Sequence, residues 1–229
     1  MSTDDMPMNS SIVPVAKIVL GSRSPRRREL LGSFAGEDRL IILPPTSPNE
    51  PGFTDVSDEA GISRRLGEIV NLKHADVCQQ VRDLQQAHDA EAFVVVADTI
   101  VVVADDSGAR CVLGQPNPDR WQDDVRTWFR RWLSGRTHEV WTGVRISREK
   151  EHRQFIVRSG VTFEVVSDEL LEWYVSTGES AGKAGGYAIQ AHAAAFVTGL
   201  EGSLSNVIGL PLLEVIEGLT ELGWSRGRR

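Results

Sequence analysis

The chain has 229 residues, of which 41% are hydrophobic and 25% are charged, so it is long and apolar enough to bury a sizeable core. Its formal net charge of −7 argues against a protein that holds nucleic-acid polymers non-specifically, because such proteins are usually basic. A small nucleotide held in a local basic pocket remains compatible with this charge.

Further sequence features exclude several kinds of site and segment. Cys78 and Cys111 are far apart and form no CxxC pattern, which argues against a disulfide framework or a zinc site. The histidines lack HExxH or HxH spacing, so we expect any metal to be a hard cation held by carboxylates. No signal peptide is recognisable, and no apolar run approaches the ~18 residues that a membrane helix needs. We therefore expect a cytoplasmic protein with a disordered tail, residues 1–14, and one domain, residues 15–229.

Helical and strand patterns alternate along the chain. Strands are predicted at residues 16–21, 39–44, 92–104, 110–114, 138–147, 153–166 and 193–203. Helices are predicted from residue 25, and at 58–87, 119–133, 168–176 and 211–222. Together they predict a mixed α/β sheet covered by helices, with residues 138–147 and 153–166 as adjacent antiparallel strands.

The first helix begins within "GSRSPRRREL", residues 21–30. Ser24 suits the N-cap and Pro25 suits the first helical position. The three arginines that follow, residues 26–28, fall at the positive end of the helix dipole, where cations are disfavoured. Either an anion such as phosphate binds between them and the free N–H groups, or they form a solvated cluster near Glu29.

Asp98 interrupts the very apolar residues 92–104. A buried carboxylate is costly unless it is paired, hydrogen-bonded or bound to metal, so Asp98 is a candidate functional residue. The alternative is a polar turn between two short strands.

Lys73 is the second residue that breaks a pattern. It lies near the middle of an apolar stripe at helical spacing, formed by Ile62, Leu66, Ile69, Val77, Val81 and Leu84. Its side chain either extends to the edge of the core or points into a cleft.

Three further features are less specific. "GKAGG", residues 182–186, is not a Walker A motif, but its glycines form either an anion-binding turn or a tight surface turn. Glu50 is a lone carboxylate in a proline-rich loop, and such groups are usually solvated. The helical spacing of Trp121, Trp128 and Trp132 favours core packing over base stacking.

Five blocks, in order, resemble the Maf family of nucleoside triphosphate pyrophosphatases, and the resemblance covers about residues 16–215. The blocks are "GSRSPRRRELL", "ADTIVVV", "LSGRTHEVWTGV", "GKAGGYAIQ" and "GSLSNVIGLPL". The resemblance implies a mixed, partly antiparallel sheet flanked by helices, with two lobes around a central cleft, similar to inosine triphosphatase. It further implies hydrolysis of a nucleoside triphosphate to the monophosphate and pyrophosphate with Mg²⁺ or Mn²⁺, and suggests a homodimer.

The same resemblance assigns roles to individual residues. Asp98 matches the catalytic aspartate and, with Glu50, would hold the metal. Substrate-binding positions are matched by Ser24, Arg26, Arg27, Lys73, Thr99 and Gln190. Arg26, Thr99 and Gln190 follow the branch that acts on dTTP and UTP, not the branch that prefers 7-methyl-GTP. We therefore expect an enzyme that cleans dTTP, UTP or modified pyrimidine relatives from the nucleotide pool. The alternative is a catalytically weak nucleotide-binding or regulatory protein linked to cell division.

Two positions depart from the family pattern. Gln115 stands where the family usually has the lysine of Gly-Lys-Pro, and Gly182 replaces an aspartate before Lys183. Losing one cation near a triphosphate would weaken activity unless a neighbour such as Arg110 or Lys183 supplies the charge.

Overall fold

A computed structural model describes residues 16–47, 50–85 and 92–226. The predicted tail, residues 1–14, and the predicted end of the second helix near residue 87 lie outside these ranges. The described strands are β1 (Lys17–Leu20), β2 (Leu40–Ile42), β3 (Ala92–Ala104), β4 (Arg110–Leu113), β5 (Thr137–Arg148), β6 (Glu151–Phe163) and β7 (Val197–Glu201). The described α-helices are α1 (Pro25–Ala35), α2 (Glu59–Gln85), α3 (Trp121–Trp128), α4 (Asp168–Ser176), α5 (Leu204–Ile208) and α6 (Leu212–Glu221).

The strands form one mixed sheet in the order β2-β1-β3-β5-β6-β7, with β4 beside the second half of β3. β1 is parallel to β2 and β3, whereas β3, β5, β6 and β7 pair antiparallel in turn. This confirms the predicted mixed α/β fold with a partly antiparallel sheet. Within the described residues, no helix has both the length and the apolar composition needed to cross a bilayer.

One edge of β3 is open at its centre. β1 pairs with β3 as far as Leu20 opposite Val95, and β4 joins the same edge only from Leu113 opposite Val101. β5 pairs along the other edge throughout this interval. Between Val95 and Val101, β3 therefore exposes an edge without a neighbouring strand in the described part of the chain. Gly21 lies at this point, where an added Cβ would come within 2.7 Å of a Val96 methyl group.

The core divides at the same place on both faces of the sheet. On the face covered by α2, one apolar cluster contains Val94 and Val96, and another contains Ile100 and Val102. The opposite face divides likewise into a cluster with α1 and α6 and a cluster with α3 and α4. Because side chains alternate along a strand, Asp98 marks the boundary on one face and Thr99 marks it on the other.

Several predicted elements differ from the observed ones. β3 is continuous through Asp98, so the alternative of a polar turn there is wrong. The predicted strand at 193–203 begins as a 3₁₀ helix (His192–Phe196), because only Val197–Glu201 pairs with β6. Leu84 is 59% exposed and so lies off the buried stripe of α2. The tryptophans expected in the core, Trp121, Trp128 and Trp132, are partly buried against the cluster under α3 and α4.

Candidate active site

A cavity of about 600 Å³ opens at the free edge of β3. Its walls come from the start of α1, the loop before α2, one side chain of α2, the centre of β3, residues 181–190 and the end of α5. The residues predicted from the sequence all line it, namely Ser24, Arg26, Arg27, Glu50, Lys73, Asp98, Thr99 and Gln190. These side chains can meet in one cavity because β1 and β4 leave the middle of β3 without a neighbouring strand on this edge.

Lys73 joins two carboxylates at one end of the cavity. Its Nζ lies 2.5 Å from Oδ1 of Asp98 and 3.0 Å from Oε2 of Glu50. The side chains of Lys73 and Asp98 are only 15% and 18% exposed, whereas that of Glu50 is 39% exposed. Lys73 thus points into the cleft and does not extend to solvent. The half-buried carboxylate of Asp98 thus has the paired cation that its apolar surroundings require.

Arg27 is fixed beside the N-terminus of α1. Ser24 caps the helix by accepting a hydrogen bond of 3.4 Å from the backbone N–H of Arg27. The guanidinium donates to the carbonyl of Gly209 at 2.7 Å, to Oγ1 of Thr99 at 2.9 Å and to Oγ of Ser22 at 3.2 Å. All three acceptors are uncharged, so this contact set orients the guanidinium without forming an ion pair.

The side chain of Thr99 lies on the face of β3 opposite that of Asp98. Its hydroxyl accepts from Arg27 and lies 3.0 Å from the hydroxyl of Thr142 and 3.3 Å from the carbonyl of Gly209. Burial lowers the pKa of Arg27, and the nearby Asp98 carboxylate opposes that shift. The free strand edge thus lets two side chains from opposite faces act on one cavity.

Arg26 and Lys183 form a second group of cations. Nε of Arg26 is buried and has no hydrogen-bond partner among the described residues. The ammonium of Lys183 donates to the backbone carbonyl of Glu179. Arg28, by contrast, is exposed and pairs with Glu37 at 3.0 Å. Of the three consecutive arginines, two therefore line the cavity and the third forms a surface ion pair.

Glu179 was not predicted from the sequence. Its side chain is only 7% exposed and accepts hydrogen bonds from the backbone N–H of His192 at 2.7 Å, the ring of His192 at 2.7 Å and the hydroxyl of Tyr174 at 3.1 Å. Burial raises the pKa of Glu179, but the hydrogen bonds from His192 and Tyr174 outweigh it and leave the pKa lowered. The carboxylate ties the ends of the glycine-rich segment, residues 177–190, and no sequence periodicity marks it.

Both positions that depart from the family pattern lie at the cavity. Gln115 lines the cavity, and the backbone N–H of Gly185 donates to the carbonyl of Gly114 at 3.0 Å, which brings the glycine-rich segment against this turn. Gly182, the second departure, lines the same cavity, as does Lys183 beside it.

Arg110 does not supply the missing charge. It forms ion pairs with Glu139 and, at 3.3 Å, with Glu59. Its guanidinium also lies 5.7 Å from the ring centre of Trp141. Arg110 is not among the residues that line the cavity, so the expectation that it could compensate for Gln115 finds no support in its position.

Paired carboxylates beside a group of cations in one cleft are typical of proteins that bind phosphorylated small molecules. The family description "Maf-like protein" matches residues 17–222, and the chain belongs to the Maf family. The dTTP/UTP pyrophosphatase of Syntrophus aciditrophicus is 36% identical over 210 residues, which cover 90% of both chains. Proteins of the same name from Pyrococcus horikoshii and Brucella abortus are 35% and 38% identical. These alignments cover 92% and 91% of this chain and 99% and 92% of the two relatives.

Proposed function

We propose that this protein hydrolyses dTTP, UTP or modified pyrimidine relatives to the monophosphate and pyrophosphate, and so removes them from the nucleotide pool. Relatives named dTTP/UTP pyrophosphatase support this proposal, since they align over nearly the whole chain. The structural observation that carries it is the carboxylate of Asp98, paired with Lys73 in a cavity that also contains Arg26 and Arg27. Action on free nucleotides would place the protein in the cytoplasm, and a homodimer remains a prediction.

In this proposal Asp98 is the general base. Its carboxylate accepts a proton from a water molecule whose oxygen attacks the α-phosphorus. The bond from the α-phosphorus to the oxygen that bridges to the β-phosphate then breaks, and pyrophosphate leaves with the electron pair. Lys73 keeps Asp98 in place through their 2.5 Å contact. Arg27 and the positive end of the α1 dipole offset the negative charge that develops on the leaving oxygens.

The donor set suits a hard divalent cation. Asp98 and Glu50 both contact the ammonium of Lys73, so their carboxylates converge on one region of the cavity. The described residues contain no group of three or more histidine, cysteine, aspartate or glutamate side chains that could hold a metal alone. Proteins usually bind Mg²⁺ through one or two carboxylates, and substrate phosphates and water complete the coordination. Mg²⁺ or Mn²⁺ held there would supply positive charge against the triphosphate.

Base selection is assigned to Gln190, Arg26 and Thr99. The side chain of Gln190 is exposed at the cavity and offers both a donor and an acceptor, which matches the edge of a pyrimidine. Because a hydrogen-bonding site rejects a mispaired base strongly, we expect dTTP and UTP to be used better than 7-methyl-GTP. Thr99 is already engaged by Arg27, so we expect it to contribute by holding that arginine.

The test is pyrophosphate release from a panel of nucleoside triphosphates that includes dTTP, UTP and 7-methyl-GTP, measured as kcat/KM with Mg²⁺, with Mn²⁺ and with a chelator. We expect metal-dependent turnover that is highest for dTTP and UTP. A preference for 7-methyl-GTP would contradict the assignment of base selectivity. Saturable binding without turnover would favour the regulatory alternative, which the uncharged Gln115 in the cavity supports.

A further inference from the structure

Lys183 lines the cavity, and no carboxylate of the described residues forms an ion pair with its ammonium. The ammonium contacts the backbone carbonyl of Glu179. Lys73, in the same cavity, contacts two carboxylates. A carbonyl can orient an ammonium but leaves its net charge unbalanced, so Lys183 can still bind an anion.

A second cation next to Lys183 makes its position costly without a ligand. Burial lowers the pKa of Lys183, and the positive charge of Arg26 lowers it further. Burial also lowers the pKa of Arg26, and Glu179 opposes the shift at both residues. The oxygens of the Glu179 carboxylate are already engaged by His192 and Tyr174, so they form no ion pair with either cation. Two half-buried like charges that face one cavity are what an anion-binding site requires.

The backbone fixes Lys183 in this position. Gly182 and Gly185, on either side of it, both have a φ of 67°, a conformation that strains residues with side chains. The N–H of Gly185 is hydrogen-bonded to the carbonyl of Gly114, directly before the uncharged Gln115. Lys183 on this segment and the nearby Arg26 on α1 therefore bring positive charge to the part of the cavity beside Gln115.

We propose that Lys183 binds a phosphate group of the nucleotide, together with Arg26, at a subsite separate from the Asp98–Lys73–Glu50 cluster. The proposal rests on the proposed function, since the nucleotide is the substrate named there. Lys183 provides charge where Gln115 provides none, and the backbone carbonyl of Glu179 orients its ammonium.

The test measures binding of pyrophosphate alone to the full chain by titration calorimetry, without divalent metal. We expect Lys183→Met and Lys183→Gln to raise the Kd for pyrophosphate about tenfold or more, the scale of one lost charge-assisted hydrogen bond. Lys183→Arg should retain most of the binding. Lys17→Met is the matched control, because the ammonium of Lys17 also donates to a backbone carbonyl, that of Asp38 at 2.7 Å, but Lys17 is exposed and lies outside the cavity.

The outcomes separate this proposal from the proposed function. Wild-type affinity in both Lys183→Met and Lys183→Gln, or no measurable binding of pyrophosphate by the wild type, would overturn the subsite. Loss of pyrophosphate binding on substitution of Lys183, in a protein that hydrolyses no nucleotide, would keep the subsite and reject the reaction. Hydrolysis that is unchanged in both variants would keep the reaction and reject the subsite.

Discussion

Lys73 and Lys183 enter the same cavity from different walls, and their surroundings differ. Lys73 extends from α2 and contacts the carboxylates of Asp98 and Glu50 at 2.5 and 3.0 Å. Lys183 comes from a glycine-rich segment, contacts a backbone carbonyl and faces Arg26. The partners of a half-buried cation thus define its role in this cavity. A lysine paired with carboxylates organises the reacting groups, whereas one held by a carbonyl keeps its charge for a ligand.

The segments that carry the two lysines also differ from each other. α2 is a long helix whose residues Ile62, Leu66 and Val77 are fully buried against the sheet. The segment at residues 177–190 buries Tyr187, Ala188 and Ile189 and is also held by polar contacts of the Glu179 and Tyr187 side chains. Both walls should therefore respond to loss of packing, and the second should also respond to pH.

The largest expected effect lies at the carboxylate end of the cavity. Asp98→Asn keeps the shape of the side chain but cannot accept a proton from water, so kcat on dTTP should fall by about 10³-fold. Asp106→Asn is a matched control, because Asp106 is 92% exposed in a surface ion pair with Arg136. Thermal melts should show that both variants fold. Turnover of Asp98→Asn close to that of the wild type would remove Asp98 as the base.

Acid should weaken the packing behind the glycine-rich wall. His138 is 2% exposed, its Nε2 lies 2.8 Å from the hydroxyl of Tyr187, and burial lowers its pKa to about 4. Because the unfolded chain has a histidine pKa near 6.5, it binds more protons than the folded chain between pH 6.5 and 4. His138 alone should therefore reduce the free energy of unfolding by up to about 3 kcal/mol as the pH falls through this window, with little further loss below it.

Denaturant unfolding at pH 7, 5.5 and 4.5 measures this effect. His138→Gln should flatten the pH dependence, because glutamine can keep the hydrogen bond to Tyr187 but does not titrate. Part of the dependence should remain, since burial also lowers the pKa of His74 to about 4. His152→Gln, at an exposed position, is the control and should leave the slope nearly unchanged. An unaltered slope in His138→Gln would show that His138 does not couple folding to pH.

Paired substitutions of the two lysines test the comparison directly. Lys73→Met leaves two carboxylates facing each other without their cation, so kcat should fall about 10²-fold, equivalent to about 2.7 kcal/mol. Lys183→Met should instead act mainly through KM, since the proposed contact is to substrate phosphate. Steady-state kinetics of both variants on dTTP would measure the changes in kcat and in KM separately. Equal losses in kcat alone would show that the lysines belong to one functional group.

The features predictable from the sequence were those with a local signal. Ser24 and Pro25 identify the start of α1 because capping chemistry depends on neighbouring residues. Asp98 and Lys73 stood out because each breaks an apolar pattern. The contact of Arg27 with Gly209 joins residues 182 positions apart, so nothing near either residue could indicate it. Glu179 was missed for the same reason, since its partners are defined only when the glycine-rich segment folds back.

Gln115 offers the smallest effect and tests whether Lys183 already supplies sufficient charge. If the wall lacks a cation, Gln115→Lys should raise kcat/KM on dTTP. The gain should correspond to about 1–2 kcal/mol of transition-state stabilisation, the scale of a hydrogen bond to a charged group. The gain should shrink at high salt, because the cavity is open to solvent and added ions screen the new charge. If Lys183 fills the role, a third cation beside Lys183 and Arg26 adds repulsion, and Gln115→Lys should be neutral or harmful. Combining Gln115→Lys with Lys183→Met separates the two cases. Under compensation the new lysine restores activity only in the Lys183→Met background, whereas equal gains in both backgrounds would show that the two positions act independently.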